Sequence, residues 1–209
     1  MLEHPTIYVV DDDEQCRESM CALVTAKGFH TEAFRSGEEF LASADSISEN
    51  GCLITDYKMT GMTGLELQEE LASQNCHLPV IVVSGHANVS VAVRAMVNGA
   101  VILLEKPHPE AELMGAIDRA IHQSSQLRER RERFKHVQKW WDGLDSESRE
   151  VARLLISGAL NSAVASRLNL GLRTVERRRH DLLKSLGVKT VAQLARMMAL
   201  LEDSVPREV

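Results

Sequence analysis

Long hydrophobic runs are missing from this 209-residue chain. Its apolar stretches are four to six residues long, far short of the roughly 20 that a helix needs to cross a bilayer. The opening Met1-Leu2-Glu3-His4-Pro5 has neither a basic flank nor a hydrophobic core of the secretory kind, so the chain is expected to stay in the cytoplasm, away from membranes. Among the four cysteines, Cys16, Cys21, Cys52 and Cys76, there is no Cys-x-x-Cys pair. Three lie in apolar patterns, and all four read as reduced, buried thiols of a cytosolic protein.

What is present is 44% hydrophobic and 26% charged residues over a length that suits two domains. The net charge of −6 conceals an asymmetry. Residues 1–125 carry 7 Lys+Arg against 19 Asp+Glu, and residues 126–209 carry 17 against 11. An acidic half joined to a basic half points to two jobs, with the basic half meeting a polyanion.

The acidic half alternates. Strand-like runs at Thr6–Val10, Phe29–Ala33, Cys52–Thr55, Pro79–Val83 and Val101–Leu104 are separated by helical spacings over 14–27, 37–44, 64–73 and 87–98. Five strands alternating with helices predict a mostly parallel sheet covered on both faces, and the fully apolar Val80-Ile81-Val82-Val83 suits that burial. Strand one ends in Asp11-Asp12, strand three in Asp56, strand four in Ser84 and strand five in Lys106, so these residues converge on one rim. One acidic residue after a strand is ordinarily a turn former or helix cap. Several carboxylates together repel unless a cation sits between them, and an all-oxygen set suits Mg²⁺. A carboxylate so placed can accept a phosphoryl group if metal and donors neutralise the transferring charge; Lys106 offers a point charge and Ser84 a hydroxyl.

Residues 5–122 resemble the receiver domain of two-component response regulators. The resemblance rests on Asp11-Asp12, on Asp56 with Met59-Thr60-Gly61-Met62-Thr63-Gly64 behind it, on Ser84-Gly85-His86, and on Lys106-Pro107. It implies an α/β flavodoxin-like fold with a five-stranded parallel sheet in the order 2-1-3-4-5. It also implies phosphorylation of Asp56 by a histidine kinase, Mg²⁺ held by Asp11, Asp12, Asp56 and the carbonyl of Lys58, and a cis Lys106–Pro107 bond. Ser84 and Lys106 would bind the phosphoryl group, and Ser84 would relay the change to the face of residues 87–104. Leu103 stands where the family usually has Tyr or Phe as the rotameric partner of the Ser/Thr, and His108 stands where a Phe is usual.

Between Glu110 and Trp141 no Gly or Pro occurs save Gly115. The last receiver helix is therefore expected to run on into a helical linker over 126–143, capable of pairing with itself. Its Arg128-Glu129-Arg130-Arg131-Glu132-Arg133 has the charge alternation of a solvated helix. Trp140 and Trp141 are expected to pack on the domain that follows.

In the basic half, helices are expected over 146–157, from Asn161 as a cap, and over 172–186, with Asn169-Leu170-Gly171 as a tight turn between the last two. On the third, Val175, Leu182 and Leu186 share one face, while Arg173, Arg177, His180 and Lys184 share the opposite one. A contiguous basic face suits a DNA major groove. Residues 144–201 resemble the small all-α, four-helix LuxR-type helix-turn-helix domain of NarL/FixJ regulators. The signature residues are Glu150-Val151, Gly158, Asn161, Ala165, Leu168, Arg173-Thr174-Val175-Glu176 and Leu186-Gly187-Val188. The resemblance implies DNA contacts from Asn161, Ser162, Arg173, Thr174, Glu176, Arg177, Arg178, His180 and Lys184. It implies dimer contacts from Val191, Leu194, Ala195 and Met198. Glu176 replaces a common lysine, Arg178 a usual histidine, Ser162 a frequent lysine and Ser148 a usual glutamate.

The domains are therefore expected at 1–125, 126–143 and 144–209. The expected function is a response regulator whose phosphorylation drives homodimerisation and binding to double-stranded DNA. The alternative is a DNA-binding regulator that ignores phosphorylation and keeps its receiver as a structural part. An enzyme is not expected beyond slow self-hydrolysis of the phosphoryl group, because aspartate-nucleophile phosphohydrolases need a second carboxylate where Lys58 stands.

Overall fold

A computed structural model describes residues 4–85 and 89–202; His86, part of the expected Ser84-Gly85-His86 step, lies outside the described residues. The chain divides into two compact units, Met1–Glu129 and Arg130–Val209.

In the first unit, β1 (Thr6–Val10), β2 (His30–Phe34), β3 (Gly51–Asp56), β4 (Val80–Ser84) and β5 (Ile102–Glu105) form one parallel sheet in the order β2-β1-β3-β4-β5. Between them lie α1 (Glu14–Ala26), α2 (Gly37–Ala42), α3 (Gly64–Ser73) and α4 (Val89–Val97). The expected fold and strand order are those observed, with boundaries displaced by a residue or two.

Both faces of the sheet are buried, which explains strands that are apolar throughout. Tyr8, Val10, Leu53, Val80 and Val82 point to one core with Phe40, Leu65 and Leu67. Their alternates Ile7, Cys52, Ile54, Ile81 and Val83 point to the other, with Leu113 and Ile117. Of the four cysteines only Cys52 is buried; Cys16 is exposed, and Cys21 and Cys76 are half-buried. The expectation of four buried thiols fails because Cys16 and Cys21 sit toward the open side of α1. Burial pushes the Cys52 thiol up to about 12, so it stays protonated.

Local chemistry sets the helix starts. Asp13 caps α1 by accepting from the Cys16 amide. Thr63 and Glu66 form a reciprocal capping box at α3, which satisfies two amides that a helix start otherwise leaves unpaired.

Helix α5 runs unbroken from Glu110 to Asp142, as the missing helix breakers predict. Ser124 anchors its first half, donating to the Glu49 carbonyl at 2.5 Å and accepting from the Gly51 amide at 3.4 Å. No helix among the described residues is long and apolar enough to cross a membrane.

The second unit packs the end of α5 with α6 (Ser146–Ile156), α7 (Asn161–Leu168), α8 (Leu172–Ser185) and α9 (Val191–Glu202). Val137 of α5 is fully buried with Leu186 and Leu194. Trp140 donates to the Ser185 hydroxyl at 2.8 Å. Trp141 lies beneath the guanidinium groups of Arg149 and Arg153, at 5.9 and 5.4 Å. Asp145 caps α6 through the Ser148 amide. The cap expected at Asn161 is not formed: Leu160 holds the N-cap position of α7 and supplies no side-chain bond, while Asn161 is already helical. Asn169 takes the left-handed conformation, φ 54°, that ends α7, one that asparagine tolerates better than most residues.

Candidate functional site

Parallel pairing builds the first site. Val10 stands opposite Thr55 in the β1–β3 ladder, so the residues that follow, Asp11 and Asp56, leave the sheet side by side. Ser84 and Glu105 pair at the end of β4 and β5, and the Lys106 amide donates to the Ser84 carbonyl at 2.8 Å. The Lys106 ammonium then reaches back across the rim. It donates to Asp56 Oδ1 at 2.6 Å and to Asp11 Oδ2 at 3.0 Å. Burial pulls the Lys106 pKa down, but the hydrogen bonds it donates to Asp56 and Asp11, with the attraction of their charges, outweigh it and the net shift is upward. The cation is therefore fixed at neutral pH.

Each carboxylate is held individually. Asp56 Oδ2 accepts from the Lys58 amide at 2.7 Å. Asp11 Oδ1 accepts from the Asp13 amide at 2.9 Å, while Arg17 donates to the Asp11 carbonyl at 2.7 Å. Asp12 turns to the loop after β3 and accepts from the Thr60 amide and hydroxyl at 2.8 and 2.7 Å. Those two bonds hold its carboxyl below the ordinary value. Gly64 lets this loop close: a Cβ there would lie 2.3 Å from the Asp56 carbonyl oxygen.

Ser84 is buried at the end of β4, and Leu103 packs half-buried against the core that holds Tyr8 and Phe34. The Lys106–Pro107 bond is cis. His108 lines a cleft of about 430 Å³ with Asp11, Cys16, Met20 and Lys106. Among the described residues, no group of three or more His, Cys, Asp or Glu is gathered around one point as a metal cage. Lys106 draws Asp11 and Asp56 together, and Thr60 draws Asp12 aside.

Sequence reasoning missed Thr60 and Arg17. Thr60 falls in a loop whose closure depends on tertiary contact. Arg17 lies one turn into α1 and acts on a backbone carbonyl, and no spacing rule points to it. The Thr63–Glu66 capping box was legible as Thr-x-x-Glu.

The second site is the outer face of α8. Val175, Leu182 and Leu186 are buried, and Arg173, Glu176, Arg177, His180 and Lys184 are exposed. Thr174 and Asn161 are half-buried and Ser162 is exposed. Arg178 is different. It binds the Ser148 hydroxyl at 2.9 Å, pairs with Glu147, and lies 3.6 Å from Asp145. Its side chain is only 24% exposed, so it braces α8 against the start of α6 and is not presented to a groove. Leu194 likewise departs from expectation. It is fully buried against Val137 and Leu186, which commits it to the core of its own unit and not to a dimer contact. Val191, Ala195 and Met198 are half-buried.

A family model described as the response regulator receiver domain matches residues 7–118. The response regulator protein TmoT of Ectopseudomonas mendocina is 32% identical over 203 residues, covering 97% of this chain and 92% of that protein. The transcriptional regulatory protein FixJ of Rhizobium meliloti is 33% identical, covering 92% of this chain and 94% of its own length. Among solved structures, the response regulator StyR superposes with a TM-score of 0.80 at 31% identity, over 94% of this chain and 99% of that one. Full-length FixJ from B. japonicum is similar at 29% identity with a TM-score of 0.58, over 95% and 98%. Matched along nearly its whole length by regulators of this build, and folded as a receiver followed by a helical DNA-binding domain, the chain belongs to the response regulators of the NarL/FixJ type.

Proposed function

We propose that this transcriptional regulator is switched by phosphorylation of Asp56. The observation that carries the reading is the Lys106 ammonium, shared between Asp56 and Asp11 at 2.6 and 3.0 Å. It marks where phosphoryl oxygens would find a positive charge next to a nucleophilic carboxylate. A phosphohistidine of a sensor kinase would be the donor. Its P–N bond breaks, a P–O bond forms to an Asp56 oxygen, and the histidine nitrogen leaves. Ser84, at the adjacent strand end, would donate its hydroxyl to the phosphoryl group.

The donor set also fits Mg²⁺, a hard cation that takes oxygen ligands. Asp11 and Asp56 already converge on one cation, and Asp12 would exchange Thr60 for the metal, with the Lys58 carbonyl completing the protein ligands. When bound, Mg²⁺ supplies charge neutralisation for the transferring group.

The output would be a dimer. Val89, Val93, Met96 and Val97 lie on one side of α4 and are 81, 56, 51 and 79% exposed. They form an apolar face that a second receiver could cover. Two copies would present two α8 helices to a two-fold DNA site, with Arg173, Arg177, His180 and Lys184 toward phosphates and bases. This activity belongs in the cytoplasm, where kinase and chromosome are both within reach.

Incubation with labelled acetyl phosphate and Mg²⁺ tests the acceptor. Wild-type protein is expected to take up label and to shift to a dimer on sizing, and Asp56→Ala to do neither. Equal labelling of the variant would overturn the assignment.

A further inference from the structure

Among the described residues, the large exposed hydrophobic side chains fall in two places. One is the α4 face just considered. The other is Leu160 and Leu172, 74 and 47% exposed, at the starts of α7 and α8. Both border one cleft of about 570 Å³, with Ser162, Glu176 and Arg179 along it. Neither leucine is used by the core of its unit.

Their position on α8 gives them a use. At 3.6 residues per turn, Leu172 lies about 40° from Glu176 and about 80° from His180 around the helix axis. Arg173, Lys184 and Arg177 continue the same arc on the far side. The exposed surface of α8 is thus graded: carbon and carboxylate at one edge, flanked by the half-buried Arg179 about 20° beyond Leu172, and guanidinium and ammonium at the other. The basic edge suits phosphates. Leu172 and Glu176 themselves do not, although Arg179 borders their cleft, because a carboxylate repels phosphate and a leucine offers it nothing. In a major groove that edge suits bases, since the thymine 5-methyl is the apolar feature displayed there and cytosine N4 is a donor for a carboxylate. Residues near the start of a recognition helix reach base edges first, and Leu172 is the first residue of α8.

Resting on the DNA-binding reading above, we propose that Leu172 is a specificity-determining residue. Its side chain, with Leu160 as the second wall of the cleft, would receive the 5-methyl group of a thymine next to the base pair faced by Glu176. The basic side chains on the same helix say which partner covers this apolar edge: a DNA duplex, whose charge they complement.

The test selects duplexes bound by the full-length protein from a random pool. Each thymine of the selected site is then replaced in turn by deoxyuridine, which lacks only the methyl. At one position wild-type binding should weaken about fourfold, the worth of one methyl group withdrawn from water. Leu172→Ala should bind the thymine duplex about as weakly and be indifferent to the same replacement, with an unchanged salt dependence. Leu172 is half exposed, so the variant should fold, and an unchanged thermal transition verifies this. Selection of a defined sequence with no replacement that distinguishes the two proteins would overturn the role of Leu172 alone. Failure to select any sequence would overturn the DNA-binding reading, and this inference with it.

Discussion

The two sites of this chain are built in opposite ways. The receiver pocket is assembled from strand ends far apart in sequence, and its carboxylates are met from within: Lys106 pairs with Asp11 and Asp56, and Thr60 donates hydrogen bonds to Asp12. The α8 face is assembled from neighbours one turn apart. The charges of Arg173, Arg177, His180 and Lys184 stay exposed, and Arg178, half-buried against the start of α6, is paired. A self-satisfied pocket stores its charge until an incoming group rearranges it. An unsatisfied face needs a partner to complete it.

The largest expected effect breaks the comparison at the level of folding. Both tryptophans, Trp140 and Trp141, lie in the second unit, so their fluorescence reports that unit alone. Leu182→Ala should destabilise it by about 2–5 kcal/mol and lower the fluorescence-detected melting temperature. Ile81→Ala, equally buried but in the receiver sheet, should lower the melting of the sheet seen by calorimetry and leave the tryptophan transition in place.

Next comes the contrast between adjacent arginines. Arg177→Ala should cost about 1–3 kcal/mol of affinity for a selected duplex with little change in stability. Arg178→Ala should do the reverse, destabilising the helical unit by about 1–3 kcal/mol because Glu147 and Ser148 lose their partner. Equal affinity losses, measured by fluorescence anisotropy, would contradict the assignment of Arg178 as a brace.

That pair also shows how far the sequence could be read. The alternation of strands and helices, the strand ends and the two faces of α8 are local patterns with fixed periods, and they were legible to within a residue or two. Arg178 was not. Its place on the helix, about 40° from Leu182, already lies toward the buried side; what no local pattern shows is that the start of α6 supplies its partners. Leu194 misled for the same reason, since an amphipathic helix shows which side is apolar but not whether its own chain or a second copy covers it. In the receiver, Asp56 and Lys106 were legible because each ends a strand of a parallel sheet. Thr60 was not, because its role depends on which way Asp12 turns.

The smallest effect concerns that turn. The two hydrogen bonds from Thr60 hold the folded-state pKa of Asp12 below its ordinary value of 3.8. A carboxyl depressed in this way contributes stability that is complete above the ordinary value and is lost as pH falls through the lowered one. Thr60→Ala should therefore leave a shallower loss of receiver stability below about pH 4 than wild type shows, read from urea unfolding at a series of pH values. In the second unit Asp145 is depressed by its own bonds to Ser148, and its acid sensitivity should not change.

The central claim is that a charge placed on Asp56 governs binding by α8. It is tested most directly by the affinity of the full chain for a selected duplex, measured with and without acetyl phosphate in Mg²⁺, for wild type and Asp56→Ala side by side. Tighter binding on phosphorylation in wild type, with no change in the variant, is the predicted result. Fully labelled wild-type protein that binds no more tightly than the unlabelled form would contradict it.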